Sequence, residues 1–352
     1  MKRNVARLAV SVGCPSGVGP EVSVAASARI RPRDGARVLL VGDLGGLRVA
    51  ARTVGVDPAR LVEVTDASSA FDLSSRVIPV LQPGAALASK DRRPGKPSRV
   101  GGRAQLRFID VATDLVAAGQ ADALVTGPVS KDAIARSGAP GARGFLGHTE
   151  HLATRLGAHE VTMAFWSKAL TTSLVTTHLP LSLVPTAITK EGVARATFWT
   201  GWLVERLAYS AQLRQRGKRP VIAVAALNPH AGEHGLLGDE ETRILAKGIT
   251  LARRRLVLAK IDVAVEGPVP AESAFRLGAK GAFAAIVAMY HDQATIPMKL
   301  LGFGEAVNVS LGLPIVRTSV DHGTAYDRAG KGTADPRGML EAMHLAARLA
   351  RP

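Results

Sequence analysis

Three histidines recur in one local setting. In TTHLPL, LNPHAGE and MYHDQ, each follows a strand-like apolar run, so His178, His230 and His291 stand just beyond the carboxyl ends of such runs. In a parallel sheet those ends lie along one edge, where residues distant in sequence can converge. Three neutral imidazoles with a fourth position open are the donor set of a catalytic divalent cation, zinc or a similar ion acting as Lewis acid. A lone histidine after an apolar run more often caps or fills a core; three in equivalent places point to a metal.

Other chemistry-bearing residues cluster between Ala288 and Gly330. The pairs His291-Asp292 and Asp321-His322 occur there with Lys299, Asn308, Arg317 and Arg328, set between short apolar runs, which places them at strand ends and turns. In GFLGHTEHLATR, His148 and Thr149 open a helix, where a hydroxyl and free N–H groups can hold an anion. HTEH is not the HExxH pattern of zinc proteases, so His151 reads as a surface or packing residue. The turn GCPSGVGPE aims backbone N–H groups and a helix N-terminus at one point, which suits a phosphate or carboxylate and serves equally as a tight strand-to-helix connection. TGPVSKDAI puts Ser130 and Lys131 at a carboxyl edge, where open α/β sheets bind ligands.

The elements that must position these groups alternate. Strands are expected over Val5–Val12, Arg37–Val41, Ala123–Val125, Ala169–Thr177, Val221–Leu227, Ile261–Val265 and Ala284–Met289. Helices are expected over Pro20–Ala28, Leu44–Val54, Arg103–Gly119 and Lys190–Arg214. This order predicts an α/β protein with mostly parallel sheets. The basic run KDRRPGKPSRVGG lies in a loop that Pro and Gly keep from being a continuous helix. Gly42, Gly45 and Gly46 do not complete a GxGxxG fingerprint. The stripe Ala194, Phe198, Gly201, Trp202 and Leu207 reads as core or subunit interface.

Composition sets the bounds. The chain has 352 residues, 47% of them hydrophobic, enough for a large core and two lobes. A single cysteine, Cys14, leaves no internal disulfide, and the N-terminal apolar run is too short for a signal or membrane segment, so a cytoplasmic setting with no membrane partner is expected. The net charge of +16 raises the possibility of nucleic acid, but the basic residues are dispersed and aromatics make up 4%, which leaves few stacking platforms. No nucleic-acid partner is expected.

The motifs GCPSGVGPE, PGKPSRVGG, TGPVSK, GHTEHLA, TTHLPL, LNPHAGEHG, MYHDQ, GFGEAVNVSLGLPIVRTSVDHGTA and AGKGTAD resemble, in order and over nearly the whole chain, the 4-hydroxythreonine-4-phosphate dehydrogenase family of vitamin B6 biosynthesis. The resemblance implies an isocitrate/isopropylmalate dehydrogenase-like fold of two α/β/α domains, with a cleft between them. Residues 1–138 and 318–352 would form the first domain and 139–317 the second, which carries the metal ligands and the dimer interface. It implies that His178, His230 and His291 bind one divalent metal (Zn, Mg or Co) shared across a homodimer interface. His148, Thr149, Lys299, Asn308 and Arg317 would bind a small phosphorylated hydroxy acid, roles that suit the cations Lys299 and Arg317 and the amide of Asn308. Gly17, Gly19, His322 and Asp327 would lie at NAD or NADP, and Lys299 or Asp292 would assist proton removal. The implied reaction oxidises 4-phosphohydroxy-L-threonine, with decarboxylation to 3-amino-2-oxopropyl phosphate. Paralogous activities on D-threonate or D-erythronate 4-phosphate or on a cyclic diol carboxylate stay open, as does a non-catalytic anion-binding role. The chain departs from the family pattern at Cys14, where Asp is usual, at His151, where an aromatic is common, and in ATIPMK.

Overall fold

The computed structural model describes residues 5–209, 219–302 and 304–351. It comprises two compact units, Met1–Ala158 with Leu313–Pro352, and His159–Gly312. The strands are β1 (Ala6–Ser11), β2 (Ala36–Val41), β3 (Leu61–Val64), β4 (Ile78–Leu81), β5 (Ala123–Thr126), β6 (Thr162–Trp166), β7 (Thr171–Leu174), β8 (Val221–Ala225), β9 (Ala264–Val269), β10 (Ala285–Ala288), β11 (Val307–Leu311) and β12 (Arg317–Val320).

In the first unit the order is β3-β4-β2-β1-β5-β12, every pair parallel. Leu8, Ala9 and Val10 are fully buried, as a strand covered on both faces requires. The C-terminal helix Arg337–Leu349 belongs here: it buries Met339, Met343, Leu345 and Leu349, and its Ala342 carbonyl accepts the Thr318 hydroxyl of β12 at 2.8 Å.

One expectation is corrected. The helix expected from Arg103 starts at Arg99, capped by Ser98 Oγ on the Gly101 N–H, and runs through both glycines. Gly102 is there because the Ala133 carbonyl passes so close that a Cβ would lie 1.9 Å from it. Residues 139–158 and 313–317 lie in the first compact unit. The helix His148–Leu156 is tied to Arg99–Ala117 by His151 Nε2 on Asp110 (2.7 Å) and by Arg155 on both oxygens of Asp114 (2.7 Å each), and Arg317 opens β12, which pairs with β5.

In the second unit the order is β11-β6-β7-β10-β8-β9. β7, β10, β8 and β9 are parallel, and β6 runs antiparallel to both neighbours. The helix Lys190–Tyr209 packs on Ala246–Leu258, with Gly201 making room for Leu256: a Cβ there would lie 2.4 Å from its Cδ2. Phe198 and Trp202 join the core with Val193, Ala196 and Ile249, so the apolar stripe is core. The end of the expected helix, 210–214, lies outside the described residues. Each unit is thus α/β with mostly parallel strands. No helix among the described residues is long and apolar enough to cross a membrane.

Candidate functional site

The three histidine-bearing strands are neighbours in the second unit, in the order β7-β10-β8 and parallel. Beyond the strands the pairing continues: the Val175 N–H donates to the Ala288 carbonyl at 2.9 Å, and the Thr176 hydroxyl donates to the Met289 carbonyl at 2.7 Å. This zipping brings the rings of His178 and His291 to 5.3 Å between centroids, tilted by 41°. Asp292 Oδ1 lies 2.7 Å from His291 Nδ1. With the proton on Nδ1, Nε2 keeps the lone pair that a cation needs, the usual way a carboxylate orients a metal-binding imidazole.

His230 does not join the pair within the chain: among the described residues no three His, Cys, Asp or Glu side chains gather as a metal site. It stands, exposed, on a run from His230 to His234 whose φ values are all positive, between 45° and 81°. Left-handed backbone costs roughly 1–2 kcal/mol for each residue with a Cβ, so something must hold this turn. Two residues that sequence reading passed over tie this edge together. Gln293 accepts the Met289 N–H (2.7 Å) and donates to the Ala226 carbonyl (2.9 Å), stitching the ends of β10 and β8, while Glu241 grips the segment before His230. His178 and His291 are thus the pair brought together at this edge, and among the described residues His230 stands apart from them.

Lys299 lies in the last turn of the helix His291–Gly302, exposed, seven residues after Asp292 and so on the same face. Asn308 is half-buried in β11. Exposed apolar side chains flank the histidines: Leu179, Leu181 and Leu183 after His178, Leu236 (83% exposed) and Leu237 after His230, and Ile296, Leu300 (79%) and Leu301 on the helix that begins with His291.

The first unit holds a different cluster. The Arg317 guanidinium is 3% exposed and donates through Nη2 (2.7 Å) and Nε (3.2 Å) to Thr126 Oγ1. Burial pushes its pKa down to about 9, with the Glu150 charge acting the other way. His148 opens the helix His148–Leu156 behind Gly147, with no side chain capping the helix. Its Nε2 is buried and has no hydrogen-bond partner. Burial, and then the positive charges of Arg317, His151 and Lys131, hold its pKa well below the ordinary histidine value, so the ring is neutral. A buried cation, a partnerless imidazole nitrogen and an uncapped helix N-terminus together suit a phosphate or carboxylate. Thr149 follows in the same turn, half-buried.

The nucleotide candidates are also in the first unit. Gly17 and Gly19 are required by the chain's own packing: a Cβ on Gly19 would lie 2.2 Å from the Val12 carbonyl oxygen, and one on Gly17 2.8 Å from that of Thr324. The buried Glu21 accepts the Gly330 N–H (2.5 Å) and the Gly332 N–H (3.0 Å), pinning the loop that carries His322 and Asp327, both exposed. Cys14 Sγ lies 3.5 Å from Tyr326 Oη; burial raises both pKa values, that of Tyr326 to about 12, so the usual acid is replaced here by a neutral pair. Beside this turn is a cavity of about 240 Å³ lined by Gly17, Glu21, Gly46, Thr53, Arg92 and Gly330 among others.

Residues 34–346 match the family model described as pyridoxal phosphate biosynthetic protein PdxA. A 4-hydroxythreonine-4-phosphate dehydrogenase of Geobacter metallireducens is 40% identical over 346 residues, 98% of this chain and 96% of that one. A crystal structure of 4-hydroxythreonine-4-phosphate dehydrogenase from Klebsiella pneumoniae superposes with a TM-score of 0.79 at 33% identity, covering 98% of this chain and 100% of that one. A terephthalate 1,2-cis-dihydrodiol dehydrogenase from Burkholderia xenovorans gives 0.60 at 27% identity, covering 97% of this chain and 98% of that one. With a family model spanning most of its length and relatives at this identity, the chain belongs to the PdxA family of pyridoxal phosphate biosynthetic proteins.

Proposed function

We propose that this protein oxidises 4-phosphohydroxy-L-threonine at C3, using NAD or NADP and a divalent metal (Zn, Mg or Co), to 2-amino-3-oxo-4-phosphonooxybutanoate, which loses CO₂ to give 3-amino-2-oxopropyl phosphate. The observation that carries this reading is the anion pocket of the first unit, where buried Arg317 stands with the unpartnered Nε2 of neutral His148. Arg317 receives the phosphate by charge-assisted hydrogen bonds, and His148 completes its coordination as a neutral donor. Thr149, Asn308 and Lys299 orient the rest of the substrate. When bound, the cation supplies Lewis acidity and the nicotinamide supplies the hydride acceptor. Asp292 is committed to His291, which leaves Lys299, on the same helix face, to take the proton from the C3 hydroxyl. The 3-oxo acid carries its carboxylate β to a carbonyl, so loss of CO₂ leaves an enolate that is then protonated. His322, Asp327 and the loop pinned by Glu21 receive the nucleotide, with the adjacent cavity as its bed. The exposed leucines around the histidines support a homodimer in which His230 of one subunit completes the His178–His291 pair of the other. The isocitrate/isopropylmalate dehydrogenase-like description belongs to the same reading.

A second reading, oxidation of a cyclic diol carboxylate, draws on the dihydrodiol dehydrogenase neighbour, since Arg317 suits a carboxylate as well as a phosphate. The test is nicotinamide reduction by the metal-loaded enzyme with 4-phosphohydroxy-L-threonine, D-threonate 4-phosphate, D-erythronate 4-phosphate and a cis-dihydrodiol carboxylate, each with and without chelator. Turnover fastest on the first and lost on chelation supports the reading. Preference for another substrate, or full activity after chelation, overturns it.

A further inference from the structure

The left-handed turn His230–His234 is held from one side by a single carboxylate. Glu241 is 4% exposed. Its Oε1 accepts the backbone N–H groups of Leu227 (2.9 Å) and Asn228 (2.8 Å), and its Oε2 accepts Asn228 Nδ2 (3.0 Å), which also donates to Glu240 Oε2 at 2.7 Å. Within the turn, Gly232 passes so near that a Cβ would lie 2.9 Å from Glu241 Oε2. The carboxylate thus grips the residues just before His230 and buttresses those just after it. The grip has a firm base. Glu241 begins a π-helical turn, Glu241–Leu245, that leads into the helix Ala246–Leu258; Leu245 of the turn and Ile249 and Leu256 of the helix are core residues. Strained backbone persists where its surroundings over-determine it, and both such strain and π-turns concentrate at functional sites.

We propose that Glu241 is a positioning residue for His230: its buried carboxylate fixes the left-handed turn so that the imidazole is presented to the cation in one pose. The proposal rests on the reading of His230 as a metal ligand. Removing a residue that orients a ligand typically weakens metal affinity about 10- to 100-fold.

Zinc affinity of the full-length protein, read by competition with a chromophoric chelator, is compared for wild type, Glu241→Ala, Glu241→Gln and His230→Ala, with thermal unfolding followed in parallel. Glu241→Ala is expected to weaken zinc binding about 10- to 100-fold while a cooperative unfolding transition is retained. Glu241→Gln keeps an acceptor for both backbone N–H groups but turns a donor toward Asn228, and is expected to weaken zinc several-fold with unfolding unchanged. Wild-type affinity in Glu241→Ala, or in Glu241→Gln should the alanine variant not fold, overturns the proposal while a loss in His230→Ala leaves the metal reading standing. Wild-type affinity in His230→Ala removes His230 from the metal, and this proposal falls with it.

Discussion

Arg317→Met separates a side chain kept for the fold from one kept for a ligand. The guanidinium is 3% exposed and its pKa is lowered by burial to about 9. At about 1.4 kcal/mol per pKa unit, that fall from the ordinary arginine value corresponds to an unfavourable burial energy on the order of 5 kcal/mol, which relaxation and water reduce. The sign follows from where the proton sits. Below about pH 9 the folded and unfolded states both carry the charge and the full penalty is present; above it the folded state sheds its proton first and the penalty is relieved. At neutral pH the charge is therefore held against the interest of stability. A methionine of similar length lifts that penalty but also removes both hydrogen bonds to buried Thr126 Oγ1, so the stability of the free protein is expected to change by no more than about 1–2 kcal/mol in either direction. The same variant gives up charge-assisted hydrogen bonds worth about 1.5–3 kcal/mol to the ligand, so KM for the phosphorylated substrate should rise roughly 10- to 150-fold. Thermal unfolding with and without inorganic phosphate, together with steady-state kinetics, reads both effects. Wild type should be stabilised by phosphate and the variant should not. A variant protected by phosphate as well as wild type, or with an unchanged KM, would refute the reasoning.

Further outcomes follow from the same structure. Since burial holds His148 neutral, the unfolded chain takes up a proton there as pH falls below about 6.5 while the folded chain resists until lower pH, so stability attributable to His148 is lost on acidification; His148→Gln should flatten the acid limb of a urea-midpoint versus pH curve. Gly19→Ala places a Cβ against the Val12 carbonyl and should destabilise by about 1–3 kcal/mol or more, seen as a lower melting temperature whether or not nucleotide is present. For the proposed homodimer, Leu300→Glu and Leu236→Glu, at exposed positions beside the histidines, should leave each subunit folded yet monomeric by sedimentation, with zinc affinity lost alongside dimerisation.

Several strands could be placed from sequence because buried parallel strands are apolar runs: β1, β2, β5, β8 and β10 fall where the pattern put them, within a few residues, while their order in the sheet was not read. Short strands were invisible for physical reasons. β3 is four residues with Glu63 exposed, and β4 contains Pro79. The start of the helix at Arg99 was hidden by Gly101 and Gly102, which reflect close approaches by the carbonyls of Asp91 and Ala133 respectively rather than a break in the helix. At the candidate site, residue types and strand-end positions brought His178 and His291 to notice, because register in neighbouring parallel strands carries such residues to one edge. The left-handed turn at His230 left no trace, since four of its five residues have a Cβ and none is required by type to adopt positive φ. Glu241, within GDEETR, reads as one more solvated charge, and that Arg317 is buried is decided by β12 lying against β5, which no local pattern encodes.

Hydride transfer itself is open to one direct measurement: incubation of the metal-loaded enzyme with 4-phosphohydroxy-L-threonine carrying deuterium at C3, followed by mass and NMR analysis of the nicotinamide and of released CO₂. Oxidation at C3 predicts that the label appears on C4 of the reduced nicotinamide, with CO₂ released in equal amount. Label exchanged into solvent, or no reduced nicotinamide at all, would contradict it.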